Sequence, residues 1–151
     1  MIERAQNQSI LIVEDNDDDF EAVESAIQSD GRFIGLIERC ASGHDALDFL
    51  TSRGAYEPPN DKPLPALILL DLNLLGVTGL EVISRIKNED DLLMIPVIVL
   101  TSSTDRRDIE ASYRAGANAY LQKQMELDGL LASIVRLREF WLNAVILPAV
   151  E

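Results

Sequence analysis

The chain has 151 residues, 47% of them hydrophobic and 26% charged, a globular composition that supports one domain around a single substantial core and argues against a disordered chain. A formal net charge of -13 argues against nucleic acid or an anionic membrane as a direct partner, since either surface would repel the chain, and favours a basic partner or a bound cation. One cysteine, no basic leader with an apolar core, and no apolar run near the roughly 20 residues that span a bilayer exclude a disulfide framework and lead to the expectation of a cytoplasmic protein.

In chain order, the first apolar run is ILIV at 10–13, which leads straight into Glu14, Asp15, Asp17, Asp18 and Asp19. Phe20, Val23, Ala26 and Ile27 then fall on one helical stripe, with Asp17 or Asp18 expected as its cap. FIGLIE at 33–38 reads as a second strand, and Cys40 as a small packed residue. Ser42 is placed to cap a helix carrying Ala46, Leu47, Phe49 and Leu50, in which His44, the single histidine, is a surface residue with no chemistry assigned. RGAYEPPNDKPLP at 53–65, with four prolines and no periodicity, reads as a loop. ALILL at 66–70 is the third strand, and Thr78 can cap a helix with Leu80, Val82, Ile83 and Ile86. PVIVL at 96–100 is the fourth. Thr104 is expected to cap a helix with Ile109, Ala111, Tyr113 and Ala115, which Gly116 closes. AYLQ at 119–122 is the fifth strand, and a last helix starts near Met125.

Strand and helix thus alternate five times, the pattern of an α/β fold with a parallel sheet covered by helices on both faces. Ligands of such sheets collect at the carboxyl ends of the strands, where strand order reverses. The residues at those ends are Glu14 and Asp15, Asp71, Thr101 and Lys123. With the strand order 2-1-3-4-5, the first and third strands are neighbours and three carboxylates share one crevice with a hydroxyl and an ammonium. Three carboxylates so close require a counter-charge. Mg²⁺ suits them, being held by one or two carboxylates together with waters and phosphate oxygens. Asn73 could add a carbonyl oxygen. Beside a metal, Asp71 is placed to act as a nucleophile toward phosphorus and form an acyl phosphate, with Lys123 and Thr101 meeting the phosphoryl oxygens.

The set Glu14, Asp15, Asp71, Thr101, Tyr120 and Lys123 resembles the receiver domain of two-component response regulators, over nearly the whole chain. The resemblance implies a five-stranded flavodoxin-like receiver with an extended C-terminal helix, residues 1–151 forming one domain without an output domain. It implies Asp71 as phosphoacceptor, Glu14 and Asp15 as magnesium carboxylates, Asn73 as backbone ligand, Lys123 as phosphate partner, and Thr101 with Tyr120 as a switch pair. REFWLNAVILP at 138–148 and the proline-bearing loop are similar to the small cyanobacterial regulators that serve phytochrome histidine kinases, which makes such a kinase the expected partner. Two positions depart from the family: Gln124 follows Lys123, and Leu75 stands in the loop after Asp71, where proline is usual in both places.

Other readings compete for the same residues. Asp17, Asp18 and Asp19 taken alone are a solvated face. A calcium loop starting at Asp15 fails where Phe20 and Ala26 replace its glycine and glutamate. A haloacid-dehalogenase phosphohydrolase would need a carboxylate where Asn73 stands, and a binding module that does not switch would keep the fold alone. Leu127, Leu130, Leu131, Ile134, Leu137 and Trp141 make one stripe of the last helix, and further apolar residues continue round it. That excess points to a homodimer with Phe140, Trp141, Leu142 and Val145 on its face.

Overall fold

A computed structural model describes residues 9–58 and 63–149. β1 (Ile10–Val13), β2 (Ile37–Cys40), β3 (Leu67–Leu70), β4 (Val97–Thr101) and β5 (Ala119–Gln122) form one parallel sheet in the order β2-β1-β3-β4-β5. Side chains alternate strictly across it. Leu11, Val13, Ile68, Leu70, Val97 and Val99 face α2 (Gly43–Thr51) and α3 (Gly79–Lys87), with Ala46, Leu47, Val82, Ile83 and Ile86 filling that layer. Ile10, Ile12, Leu67, Leu69, Ile98 and Leu100 face α1 (Asp17–Gln28) and α5 (Leu127–Arg138), through Val23, Ala26, Ile27, Leu130, Ile134 and Leu137. β1 and β3 are buried at every residue because both faces are covered, which is why they read as unbroken apolar runs. α4 (Arg106–Ala115) packs more loosely, burying Ser112 while Tyr113 faces solvent.

β2 begins four residues later than the apolar run suggested. Its pairing is set by β1, from Ile10 opposite Ile37 to Val13 opposite Cys40. Ile34 and Leu36, ahead of it, are exposed. Composition marked the approach to this edge strand, but the strand that pairs contains Glu38 and Arg39, which an edge tolerates.

The helix ends also correct the expected caps. Asn16, not Asp17 or Asp18, caps α1, its Oδ1 accepting from Asp19 N–H at 2.9 Å. The three aspartates then occupy the first turn, where the positive end of the helix dipole favours them. Asp105 rather than Thr104 caps α4, taking the Arg107 N–H at 2.9 Å. Ser42 and Thr78 cap α2 and α3 as expected, and Gly116 ends α4 at φ 113°, a left-handed conformation that favours glycine. α5 starts at Leu127, two residues past Met125. In the loop of 53–65, Gly54–Tyr56 form a short 3-10 turn, and residues 59–62 lie outside the described residues.

α5 runs directly into a π-helix, Glu139–Ala144. Arg138, at the junction, is 6% exposed and donates to the Ala26 carbonyl at 3.0 Å and Ser29 Oγ at 3.0 Å, closing the C-terminal end of α1. The register change in the π-helix turns Leu142 into the core, where it is 3% exposed. Leu142 therefore cannot serve on an outward dimer face, whereas Phe140 is 57% exposed and stacks edge-on against the half-buried Trp141. Among the described residues no helix is long and apolar enough to cross a membrane.

Cys40 is fully buried at the end of β2, where burial, then the negative charge of Asp45, pushes its thiol up to about 12. A thiol so held is unreactive, so alkylating reagents at about pH 8 should modify Cys40 only once denaturant unfolds the chain. Because the folded value is raised, the stability tied to this thiol is intact below the unfolded value of about 8.5 and is lost as pH climbs toward the folded one. An unfolding midpoint that declines above that point in wild type, and less in Cys40→Ala, is the expected result.

Candidate active site

The first and third strands end side by side, and the sheet hydrogen bonds run one residue beyond them: Glu14 N–H donates to the Cys40 carbonyl at 3.0 Å and Asp71 N–H to the Val13 carbonyl at 3.1 Å. This sets Glu14, Asp15 and Asp71 in one crevice, with one carboxylate oxygen from each within 4.8 Å of the others. α3 must start very close by. A side chain at Gly79 would bring its Cβ to 2.5 Å from the Asp71 carbonyl oxygen and 2.6 Å from Leu72 Cα, so glycine alone lets the helix pack against the loop that carries Asp71.

Glu14 is 3% exposed and Asp71 7%, and two such buried carboxylates require a cation. Lys123 supplies it from the end of β5. Its ammonium, on a side chain 10% exposed, pairs with Glu14 Oε1, with Asp71 Oδ2 at 3.0 Å and with Asp19 Oδ2 at 3.0 Å. Lys123 is itself placed by its N–H, which donates to the Thr101 carbonyl at 2.7 Å. The buried Thr101 hydroxyl accepts a long contact of 3.4 Å from Asn73 Nδ2 and adds to the influences that lower Asp71. Asn73 N–H donates to Asp71 Oδ1 at 3.1 Å.

The two carboxylates are not equivalent. Burial pushes Glu14 up to about 7, outweighing the opposing pull of Lys123. Burial acts the same way on Asp71, but there the Asn73 N–H, the Lys123 ammonium and the Thr101 hydroxyl together outweigh it and hold the carboxyl below its usual range. Lys123 is held above its ordinary value: burial opposes its charge, and the carboxylates beside it overcome that. Asp71 is thus the group kept ionised, as a nucleophile must be.

All the strand-end residues named from sequence converge here. Tyr120 lies further off, half-buried against the core, with its hydroxyl donating to the Ser103 carbonyl at 2.9 Å in the loop after β4. The sequence alone places Asp19 on a solvated face, whereas in the fold it reaches Lys123. The first turn of α1 carries it back over the crevice, a position readable only once the helix start is known. The same helix start removes the calcium-loop reading, since Asp17 and Asp19 lie within α1 rather than in a loop. His44 is exposed and lies 3.3 Å from Asp48, away from this chemistry.

A parallel five-stranded sheet with this crevice defines a receiver-type signalling domain. The chain belongs to the response regulator receiver domain family, whose model matches residues 10–135. It is 41% identical to the response regulator Rcp1 of Synechocystis sp. over 143 residues, covering 93% of this chain and 92% of that one. It is also similar to two solved structures. One is the phosphorylated cyanobacterial phytochrome response regulator RcpA, with TM-score 0.88, 34% identity and coverage of 95% of this chain and 99% of the other. The second is the Mn²⁺-bound form of Rcp1, with TM-score 0.87, 39% identity and coverage of 94% and 99%. The fold and the family are those that the resemblance carried by the strand-end residues implied, a response regulator receiver domain of two-component signalling.

Replacing Lys123 with Met should leave Glu14 and Asp71 buried without their cation. The expected loss is about 3–5 kcal/mol of unfolding free energy, measured in urea with chelator present.

Proposed function

We propose that this protein accepts a phosphoryl group on Asp71 from the phosphohistidine of a histidine kinase, in a reaction that depends on a divalent cation, and acts as a phosphorylation-dependent switch. The observation that carries the reading is the Asp71 carboxylate, kept ionised and flanked by the Lys123 ammonium and the Thr101 hydroxyl. An Asp71 oxygen attacks phosphorus; the P–N bond to the kinase imidazole breaks as the P–O bond of an acyl phosphate forms, and the departing imidazole takes a proton from solvent.

Glu14, Asp15 and Asp71 bring three carboxylate oxygens within 4.8 Å of one another, an all-oxygen donor set that fits Mg²⁺, to which the Asn73 carbonyl would add a fourth. Bound there, the ion would neutralise charge on the entering phosphoryl group. Lys123 can move from its carboxylates to a phosphoryl oxygen, and Thr101 can donate to another, which draws the end of β4 toward Asp71 and shifts the loop to which Tyr120 is bonded.

The kinase is proposed to be of phytochrome type, supported by likeness to RcpA, a phytochrome response regulator. The exposed Phe140 and Ile146, with Trp141 and Val145 beside them, support a homodimer through the C-terminal segment. Sedimentation at roughly tens of micromolar should show that dimer, since a weak interface associates at such levels. The net charge of -13 speaks against nucleic acid or an anionic membrane as partner. A binding module that does not switch is the competing reading, favoured by Gln124 in place of the usual proline. A phosphohydrolase lacks support, because Asn73 offers no acid or base.

Incubation with a small acyl phosphate and Mg²⁺, followed by intact mass, should show one added phosphoryl group, and Asp71→Asn should abolish it. Labelling that persists in this variant would overturn the assignment, and an unmodified wild type would favour the module.

A further inference from the structure

We propose that Arg39 is a positioning residue for the divalent-cation site, gripping the peptide that joins its two adjacent carboxylates; the inference rests on the reading of that pocket given above. The main chain leaves β1 after Val13, and Glu14 N–H still finds a sheet partner in the Cys40 carbonyl. The Glu14 carbonyl is met instead by a side chain, Arg39 Nε, at 3.1 Å. β2 therefore holds both polar groups of the Glu14 main chain, one through its backbone and one through a guanidinium.

That carbonyl shares a rigid plane with the Asp15 nitrogen, so gripping it sets the direction in which Asp15 leaves the strand. Asp15 depends on this. Glu14 and Asp71 are each bonded to Lys123, whereas the Asp15 carboxylate takes no hydrogen bond or ion pair from the described residues. Arg39 is in turn fixed on two sides. Its Nη2 lies 2.7 Å from Asp17 Oδ1, and its guanidinium carbon sits 4.8 Å from the centre of the Phe20 ring. A lysine would keep the charge but not the planar fork that meets a carbonyl, a carboxylate and a ring together.

Charge and grip act in opposite directions. A guanidinium next to an acidic pocket repels a divalent cation, so removing it should tighten binding if charge dominates and weaken binding if the grip dominates. Salt separates the two, because at about 1 M the screening length falls to about 3 Å while the grip stays. The experiment titrates the full chain with Mn²⁺, following the free ion by electron paramagnetic resonance, at low salt and at about 1 M. Arg39→Gln and Arg39→Lys should both bind about tenfold more weakly than wild type at high salt, the low end for an outer residue that orients metal ligands. Arg32→Gln, which removes an exposed cation ahead of β2, at the end of the sheet away from the pocket, should stay within about twofold. Unfolding midpoints of both Arg39 variants near that of wild type would assign the loss to the site rather than to the fold. Wild-type affinity in Arg39→Gln at high salt, or in Arg39→Lys alone, would overturn the proposal. A wild type that takes up no Mn²⁺ would instead remove the metal reading of the pocket itself.

Discussion

The Lys123 ammonium among Glu14, Asp71 and Asp19 is the contact on which the rest of the site depends. Two carboxylates are carried below the surface by the strands that bear them, and neither could stay ionised there alone. The lysine that resolves this arrives from the far edge of the sheet, two strands from Asp71. Its reach is therefore a statement about topology: only with β3, β4 and β5 adjacent and parallel does the end of β5 lie over the end of β3. The sheet order and the charge balance of the pocket are one constraint seen at two scales.

The pocket also separates its acids by environment. Glu14 has burial without enough donors and shifts toward its neutral form, whereas Asp71 has a backbone N–H, a hydroxyl and the ammonium. Those donors come from the loop after β3, the end of β4 and the end of β5. Each is a separate element, so the ionised state of Asp71 is a property of the assembled domain and not of the local sequence.

This division explains what could be read from the chain alone. β1, β3, β4 and β5 are legible because they are short apolar runs bounded by polar residues, and the candidate site residue follows β1, β3 and β5 directly and closes β4. β2 misled because an edge strand need not be apolar: Glu38 and Arg39 belong to it while Ile34 and Leu36 do not. Asp19 was hidden by a shift of one residue in the helix cap, since with Asn16 as cap it turns back toward Lys123 rather than outward. Leu142 read as surface under a regular helical period, and the π-helix after Arg138 breaks that period. Each miss concerns a residue whose direction depends on where an element begins or changes pitch, information that pattern carries poorly.

The contacts that hold Asp71 are linked to one another outside the pocket as well. Lys123 N–H is bonded to the Thr101 carbonyl, so the ammonium and the hydroxyl that meet Asp71 sit on facing ends of paired strands. Two residues beyond Thr101, the Ser103 carbonyl accepts from Tyr120, which stands three residues before Lys123 on β5. The loop after β4 is thus tied to β5 at both ends, by a backbone bond at the pocket and by a side-chain bond below it. On the proposed reading, a phosphoryl group on Asp71 would pull on Thr101 and Lys123 together, and the bond from Tyr120 to the loop after β4 offers the route by which that pull would reach the tyrosine. That closed circuit, built from one strand pair, is what would couple the proposed modification of a buried carboxylate to a tyrosine that does not touch it.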